Sequence, residues 1–352
     1  MSRTSDSVHV PDIQVNGRSF YCWFTQLDSN RRQITVRGTF GGVTRHLNMD
    51  LMLVFKPAMA FDYGLASRGQ ISIFGNARIL GVNDPTEASV ISVTKSHLDA
   101  LCLDGHAEVS GDLYTSGTGT YVSVSGSPTV AGTQDLAEIA KHVHNDVEEP
   151  DFPEIDTSPF AALATYTLQP GDPTNKNVYN NLLIPAGMNP NFTSDVVLNG
   201  VVYIESPNDV KFEGKCTING MVVTEESSEP ISNCQLSFAG HVEANGVKSL
   251  PDTSEFANVK TQTGTFILAP GFGVTFAGNF SAINGSIAAD QLTFTGTAEG
   301  TVKGSVIGLK DLPTNIGGNV DIFVDRSNNK NNSAGFVKSI AMEPVPDSYN
   351  EL

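Results

Sequence analysis

The chain has 352 residues, 39% of them hydrophobic and only 17% charged, with 33 glycines and a formal net charge of −17. That acidity excludes nucleic acid as a partner, because phosphate neutralisation needs an excess of Lys and Arg. No apolar run reaches the roughly 18 residues of a spanning helix, and no two of the four cysteines form a CxxC pair, which sets aside zinc-ribbon and thioredoxin-type sites.

Residues 1–62 read as a small antiparallel sheet or sandwich. "RSFYCWFTQLDSNRRQITVRGTF" holds two alternating apolar runs around Asp28-Ser29-Asn30, a hairpin signal, and the alternation continues through Val43, Leu47, Met49, Leu51 and Leu53. Strand alternation sends half of the aromatic run Phe20, Tyr21, Trp23 and Phe24 into a core. The other half is a candidate contact for sugar or a partner.

From residue 63 to 133, and again from 173 to 325, a different register recurs: an apolar residue, a spacer, a glycine, and a second glycine six residues on. "IFGNARILG", "LDGHAEVSG", "VSGSPTVAG", "FEGKCTING" and "FAGHVEANG" carry it, with "FAGNFSAING" one residue longer and "FTGTAEG" shorter. The uneven spacing between copies suits a parallel, right-handed β-helix in two blocks, where insertions leave as loops while the stacked core persists. Ile73, Leu103, Val124, Phe212, Phe238, Phe276 and Phe294 are then one inward ladder, like over like at about 4.8 Å per coil. An antiparallel β-sandwich is the alternative, since Asn-Gly at 199–200, 219–220, 245–246 and 284–285 suits hairpin turns. Against it, "VVYI" and "MVVT" after two of these pairs are continuous apolar runs of the buried parallel type.

Residues 134–172 separate the blocks. A short helix over 134–144 has Leu136, Ile139, Ala140 and Val143 on one face, and an acidic, proline-punctuated linker follows across the surface. Asp146, Glu148, Glu149 and Asp151 are the candidate Ca²⁺ ligands, since calcium takes about 6–8 oxygens; a solvated acidic linker is the competing reading. No other cofactor is expected. His142 and His144, two apart on a helix, point away from each other and read as surface residues, as do the isolated His97 and His106. Cys216 and Cys234 precede similar turns in successive copies, so they read either as a stacked disulfide or as two small buried side chains. Residues 326–352 read as a polar loop and tail.

"RRQITVRGTFGGVTRHLNMDL" (31–51), "AFDYGLASRGQISIFGNARILG" (60–81) and "ILAPGFGVTFAGNFSAINGSI" (267–287) resemble bacterial PilX-type, minor-pilin-like surface proteins. The resemblance implies a hydrophobic N-terminal segment followed by strands and a β-helix-like domain, with no catalytic residue to transfer. This chain departs from the pattern at its start, where the polar MSRTSDSVHV stands in place of the hydrophobic segment.

An enzyme is not expected. Between Arg78 and Arg326 there is no arginine to act as the base of a lyase, and no Asp-Asp pair occurs for a hydrolase. The expectation is a non-catalytic structural or adhesive protein, extracellular or of the cell envelope, without membrane contact of its own. Its expected partners are further copies stacked through open end coils, or pilus and envelope proteins. The alternative is a carbohydrate-binding or carbohydrate-cleaving module, with glycan as the partner.

Overall fold

A computed structural model describes residues 7–15, 18–56, 58–280, 282–327, 333–337 and 339–351; the polar start and residues 328–332 of the predicted C-terminal loop lie outside it. The protein is all-β and divides into two compact units, residues 1–56 with 338–352 and residues 57–337.

The first unit is a single antiparallel sheet. Strands β1 (Ser7–Val15), β2 (Arg18–Gln26), β3 (Arg31–Phe40) and β4 (Val43–Lys56) follow one another as neighbours. The β2–β3 turn forms where Asp28 Oδ1 accepts the N–H groups of Asn30 and Arg31, each at 2.8 Å. Gly41 and Gly42, at φ +58° and +80°, close the β3–β4 hairpin in the left-handed geometry that a two-residue turn requires. The predicted C-terminal tail is instead part of this sheet: Ser339–Pro344 and Asn350–Glu351 both pair antiparallel with β4. The three consecutive apolar residues Ile340, Ala341 and Met342 show no alternation, and they lie in a segment whose prolines and acids read as loop.

The second unit is a column of parallel coils. Phe192 pairs with Phe212, Phe212 with Phe238, Phe238 with Phe276 and Phe276 with Phe294. Their rings stack face to face at 5.2, 4.8, 5.0 and 5.1 Å, within 13° of parallel. The ladder then crosses in sequence. Phe294 pairs with Ile316, Ile316 with Ile73, Ile73 with Leu103, and Leu103 with Val124.

The two sequence blocks are therefore one continuous column. Its middle joint is made by the last coil of the second block (Val306–Gly308, Thr314–Gly318, Asp321–Val324) pairing with the first coil of the first (Leu65–Ser67, Ile71–Gly75, Arg78–Gly81). Arg78 holds Asp321 across that joint through two bonds of 2.6 and 2.5 Å, and Asn76 Nδ2 donates to Asn319 Oδ1 at 2.8 Å. The segment 134–172 does not bridge adjacent coils: it runs from the last coil of one block to the first coil of the other, at opposite ends of the column.

The Asn-Gly pairs are not hairpins. Asn180, Asn199, Asn219 and Asn245 form a side-chain ladder in which each amide donates to the one below at 2.9 Å. Gly200 and Gly220 stack at the corner that follows, where a Cβ on Gly220 would overlap the Gly200 carbonyl oxygen. Beyond the corner the strands are buried on both sides. Val202, Ile204 and Val222 point inward, while an outer row of Tyr203, Val223, Leu268, Ala288, Ile307, Ala66 and Ile91 lies under Phe61, Phe152, Phe160 and Phe256. Burial on both faces is why "VVYI" and "MVVT" are apolar throughout.

Candidate functional site

The strap 145–165 and the corner after the outer row enclose a groove of about 570 Å³ on the column. The corner residues follow the paired strand ends Ala269, Ala289, Gly308, Ser67 and Ser92, so Pro270, Asp290, Leu309, Arg68 and Val93 succeed one another coil by coil. The groove thus crosses the joint between the blocks, with Lys95, Glu226, Lys310 and Asp311 along its sides and Glu154 on the strap.

Asp290 is its most unusual member. It is only 6% exposed, and its Oδ1 has no hydrogen-bond partner. Burial raises its pKa, with Glu226 adding to the effect; an N–H from Gly271 and the Lys310 charge oppose it. Asp311, by contrast, is engaged: it accepts from Thr94 Oγ1 at 2.6 Å and Ser96 Oγ at 2.7 Å.

The predicted calcium ligands do not converge. Asp146 Oδ1 accepts the Gly119 N–H at 3.1 Å, and Glu149 reaches Lys95 at 3.1 Å and Arg68 at 3.7 Å. Among the described residues no three His, Cys, Asp or Glu side chains are grouped to hold a metal ion. A strap held against the column spreads its acids along the chain, and the nearest cations belong to the column itself.

Of the two readings of Cys216 and Cys234, that of small buried side chains holds and the disulfide does not form; all four cysteines are free. Cys216 follows its ladder Phe and stacks on Val196 and Val242, whereas Cys234 precedes its own and stacks on Asn208, so the two thiols occupy different columns. Burial pushes the Cys216 thiol up to about 12, which leaves it inert.

The predicted helix over 134–144 is an α turn, Leu136–Ile139, capped by Asp135 and continued by a 3-10 turn, Ala140–His142, with Ile139 buried and Leu136 67% exposed. Val143–His144 then joins the column as a strand beside Leu113–Tyr114. The histidines, read as diverging on a helix, therefore converge on one carboxylate. His142 Nδ1 lies 2.8 Å from Asp112 Oδ1 and His144 Nε2 3.0 Å from Oδ2, with Tyr114 stacked on His144 at 4.7 Å. The His-Val-His alternation is a strand signal, and it was the one cue in the sequence.

Burial acts to raise the Asp112 pKa, but the two histidines outweigh it and the carboxyl sits below its usual value. A depressed carboxylate adds stability above its unfolded pKa of about 3.9 and loses it as pH falls through the folded value. Asp112→Asn is therefore expected to speed amide hydrogen exchange in 136–144 at pH 7, at a cost of about 1–3 kcal/mol, and to change little once the pH has fallen below the folded value of the Asp112 carboxyl. Exchange at pH 7 no faster in the variant than in the wild type would mean that the clasp does not hold this end. At the opposite end Tyr166–Thr167 pairs with Leu182–Leu183.

In the antiparallel unit the aromatic run divides by strand alternation. Tyr21 and Trp23 share a face with Arg37, His46 and Asn48, and the Arg37 guanidinium lies 4.4 Å over the Tyr21 ring. The opposite face carries Cys22, Phe24, Ile34, Val36, Leu47 and Met49, with Phe40 60% and Val43 62% exposed at the hairpin tip. Among the described residues this unit has no helix and no second sheet to cover that face.

These features define an all-β protein in which a parallel β-solenoid is inserted between two strands of an antiparallel sheet. No protein-family model matches the chain, and no curated protein does. Two solved structures are similar at low level. The competence-associated pilin ComZ from Thermus thermophilus has 10% identity and a TM-score of 0.28, over 99% of this chain and 88% of that one. An ice-binding protein from the Antarctic ascomycete Antarctomyces psychrotrophicus has 15% identity and a TM-score of 0.22, over 74% and 96%. Neither likeness carries a fold or a function across. No helix among the described residues is long and apolar enough to cross a membrane.

Proposed function

We propose that this chain is a non-catalytic structural protein of the cell surface or envelope, an assembly subunit of pilus-like kind that displays a rigid solenoid. The observation that carries the reading is the apolar face of the antiparallel sheet, which has no second layer of its own. Phe40 and Val43 stand exposed at its hairpin tip while Phe24, Ile34, Val36, Leu47 and Met49 are half-buried, and an apolar face left partly open in this way is normally an interaction surface. Charge identifies where copies can meet. Residues 57–337 hold 13 Lys and Arg against 31 Asp and Glu, while residues 1–56 with 338–352 hold 8 against 7. Two solenoids at −18 repel each other, whereas two sheets near neutrality do not. A second copy packed on this face is the occupant we favour, in place of end-to-end stacking of coils. The resemblance of 31–51, 60–81 and 267–287 to PilX-type proteins supports the pilus-like form of the reading.

Light scattering over a concentration series tests it. Association is expected above about 10 µM, and Phe40→Glu, at an exposed position, should abolish it without lowering the melting temperature. A wild-type chain that stays monomeric at about 1 mM overturns the proposal.

A further inference from the structure

We propose that the groove beneath the strap is a glycan site, taking a neutral oligosaccharide segment that lies along the column axis with its hydroxyls between Asp290 and Lys310. This goes beyond the assembly role and does not depend on it, since the groove and the apolar sheet face belong to different units.

The volume of about 570 Å³ is within the range of small-ligand sites. Its lining mixes signs: Arg68, Lys95 and Lys310 stand among Glu154, Glu226, Asp290 and Asp311. Such a mixture attracts neither a polyanion nor a polycation, and a lipid tail would strand the charges without partners. A hydroxyl suits it, because one oxygen both donates and accepts. The donor need is specific. Asp290 is more than nine-tenths buried and borders the groove; its Oδ1 has no partner and lies sealed beneath the groove surface, a state that costs free energy and that a ligand O–H ends once the carboxylate turns outward. Lys310, exposed on the next coil, supplies the complementary N–H donors. Arg68 and Lys95 are turned to Glu149 of the strap at 3.7 and 3.1 Å, so they fasten the groove's cover and leave Lys310 as the cation for the ligand. Stacked coils repeat at about 4.8 Å, which lines up successive polar groups for a linear chain of sugar rings.

Calorimetric titration of the full chain with cellotriose, maltotriose and tri-N-acetylchitotriose, beside spermidine and trigalacturonate, tests the site. At least one neutral trisaccharide is expected to bind with Kd below about 1 mM. Asp290→Asn and Lys310→Ala should each weaken that binding about tenfold, with unchanged melting. Should Asp290→Asn disturb folding, Lys310→Ala decides, since its side chain lies outside the core. No binding by any neutral trisaccharide overturns the proposal. So does tighter binding of spermidine or trigalacturonate, or wild-type affinity in the variants.

Discussion

Phe238→Ala is expected to destabilise the protein by about 3–5 kcal/mol, the usual cost of removing a fully buried ring. Phe238 is 1% exposed and sits between Phe212 and Phe276, with ring centroids 4.8 and 5.0 Å away. Three terms add in the same direction. The apolar surface of the ring is lost, a cavity opens in a column whose coils are fixed by backbone pairing, and two stacking contacts vanish, each worth about 0.5–1.5 kcal/mol. Relaxation cannot fill the gap, since closing the coils would break the parallel register of Asn208–Phe212 with Cys234–Phe238. Val124→Ala makes the internal comparison. It removes two methyl carbons at the ladder's half-buried last rung and should cost about 1 kcal/mol or less. Equilibrium denaturation in guanidinium, read by two probes to check cooperativity, measures both. A Phe238→Ala cost no greater than that of Val124→Ala would remove the ring from the interior and with it the column as described.

The part of the fold legible in the sequence is the part that repeats. A stacked column asks for the same residue type at the same point of each coil, so Phe212, Phe238, Phe276 and Phe294 announce one another, and Ile73, Leu103 and Val124 share their register. Phe192 belongs to the same ladder but has no glycine two residues on, because its coil turns through Ser194 and Asp195, the latter at φ +46°. Ile316 has that glycine but lacks the second one, since Val324 lies where it would fall. What no local pattern could show is which coil lies on which.

The candidate site fails to read for the same reason. Asp290, Lys310, Arg68 and Lys95 come together only after residues from both blocks share one corner of the column. Asp112 meets His142 and His144 through a strand pairing thirty residues removed along the chain. The acidic run 146–156 was conspicuous because it is contiguous, yet contiguity in an extended strap keeps carboxylates apart. The disulfide reading of Cys216 and Cys234 fails for a geometric reason, while their burial was legible: proximity to the ladder Phe was visible, but the side of it on which each cysteine lay decided its column.

The joint between the blocks can be trapped covalently. Asn76 and Asn319 follow the paired Gly75 and Gly318, stand exposed in the turns that leave these neighbouring strands, and join their amides at 2.8 Å. Adjacent parallel strands lie about 4.8 Å apart, inside the Cα range of about 4.4–6.8 Å that a disulfide accepts. The double variant Asn76→Cys with Asn319→Cys should therefore oxidise within one chain and migrate faster on a non-reducing gel than either single variant. Because the bond closes a loop of more than about 200 residues, the chain-entropy account gives up to about 5 kcal/mol of added stability, with native strain reducing it. The gain should disappear on reduction. Three of the four native thiols interfere little: Cys216 and Cys234 are buried, and burial with the neighbouring Asp99 pushes Cys102 up to about 11. If the blocks were separate modules on a flexible linker, the pair would cross-link chains to one another or not at all, and the melting temperature would stay where it was. An intramolecular bond with a reducible rise in melting temperature is the outcome that one continuous column requires, because pairing 65–81 with 306–324 brings these two positions within reach.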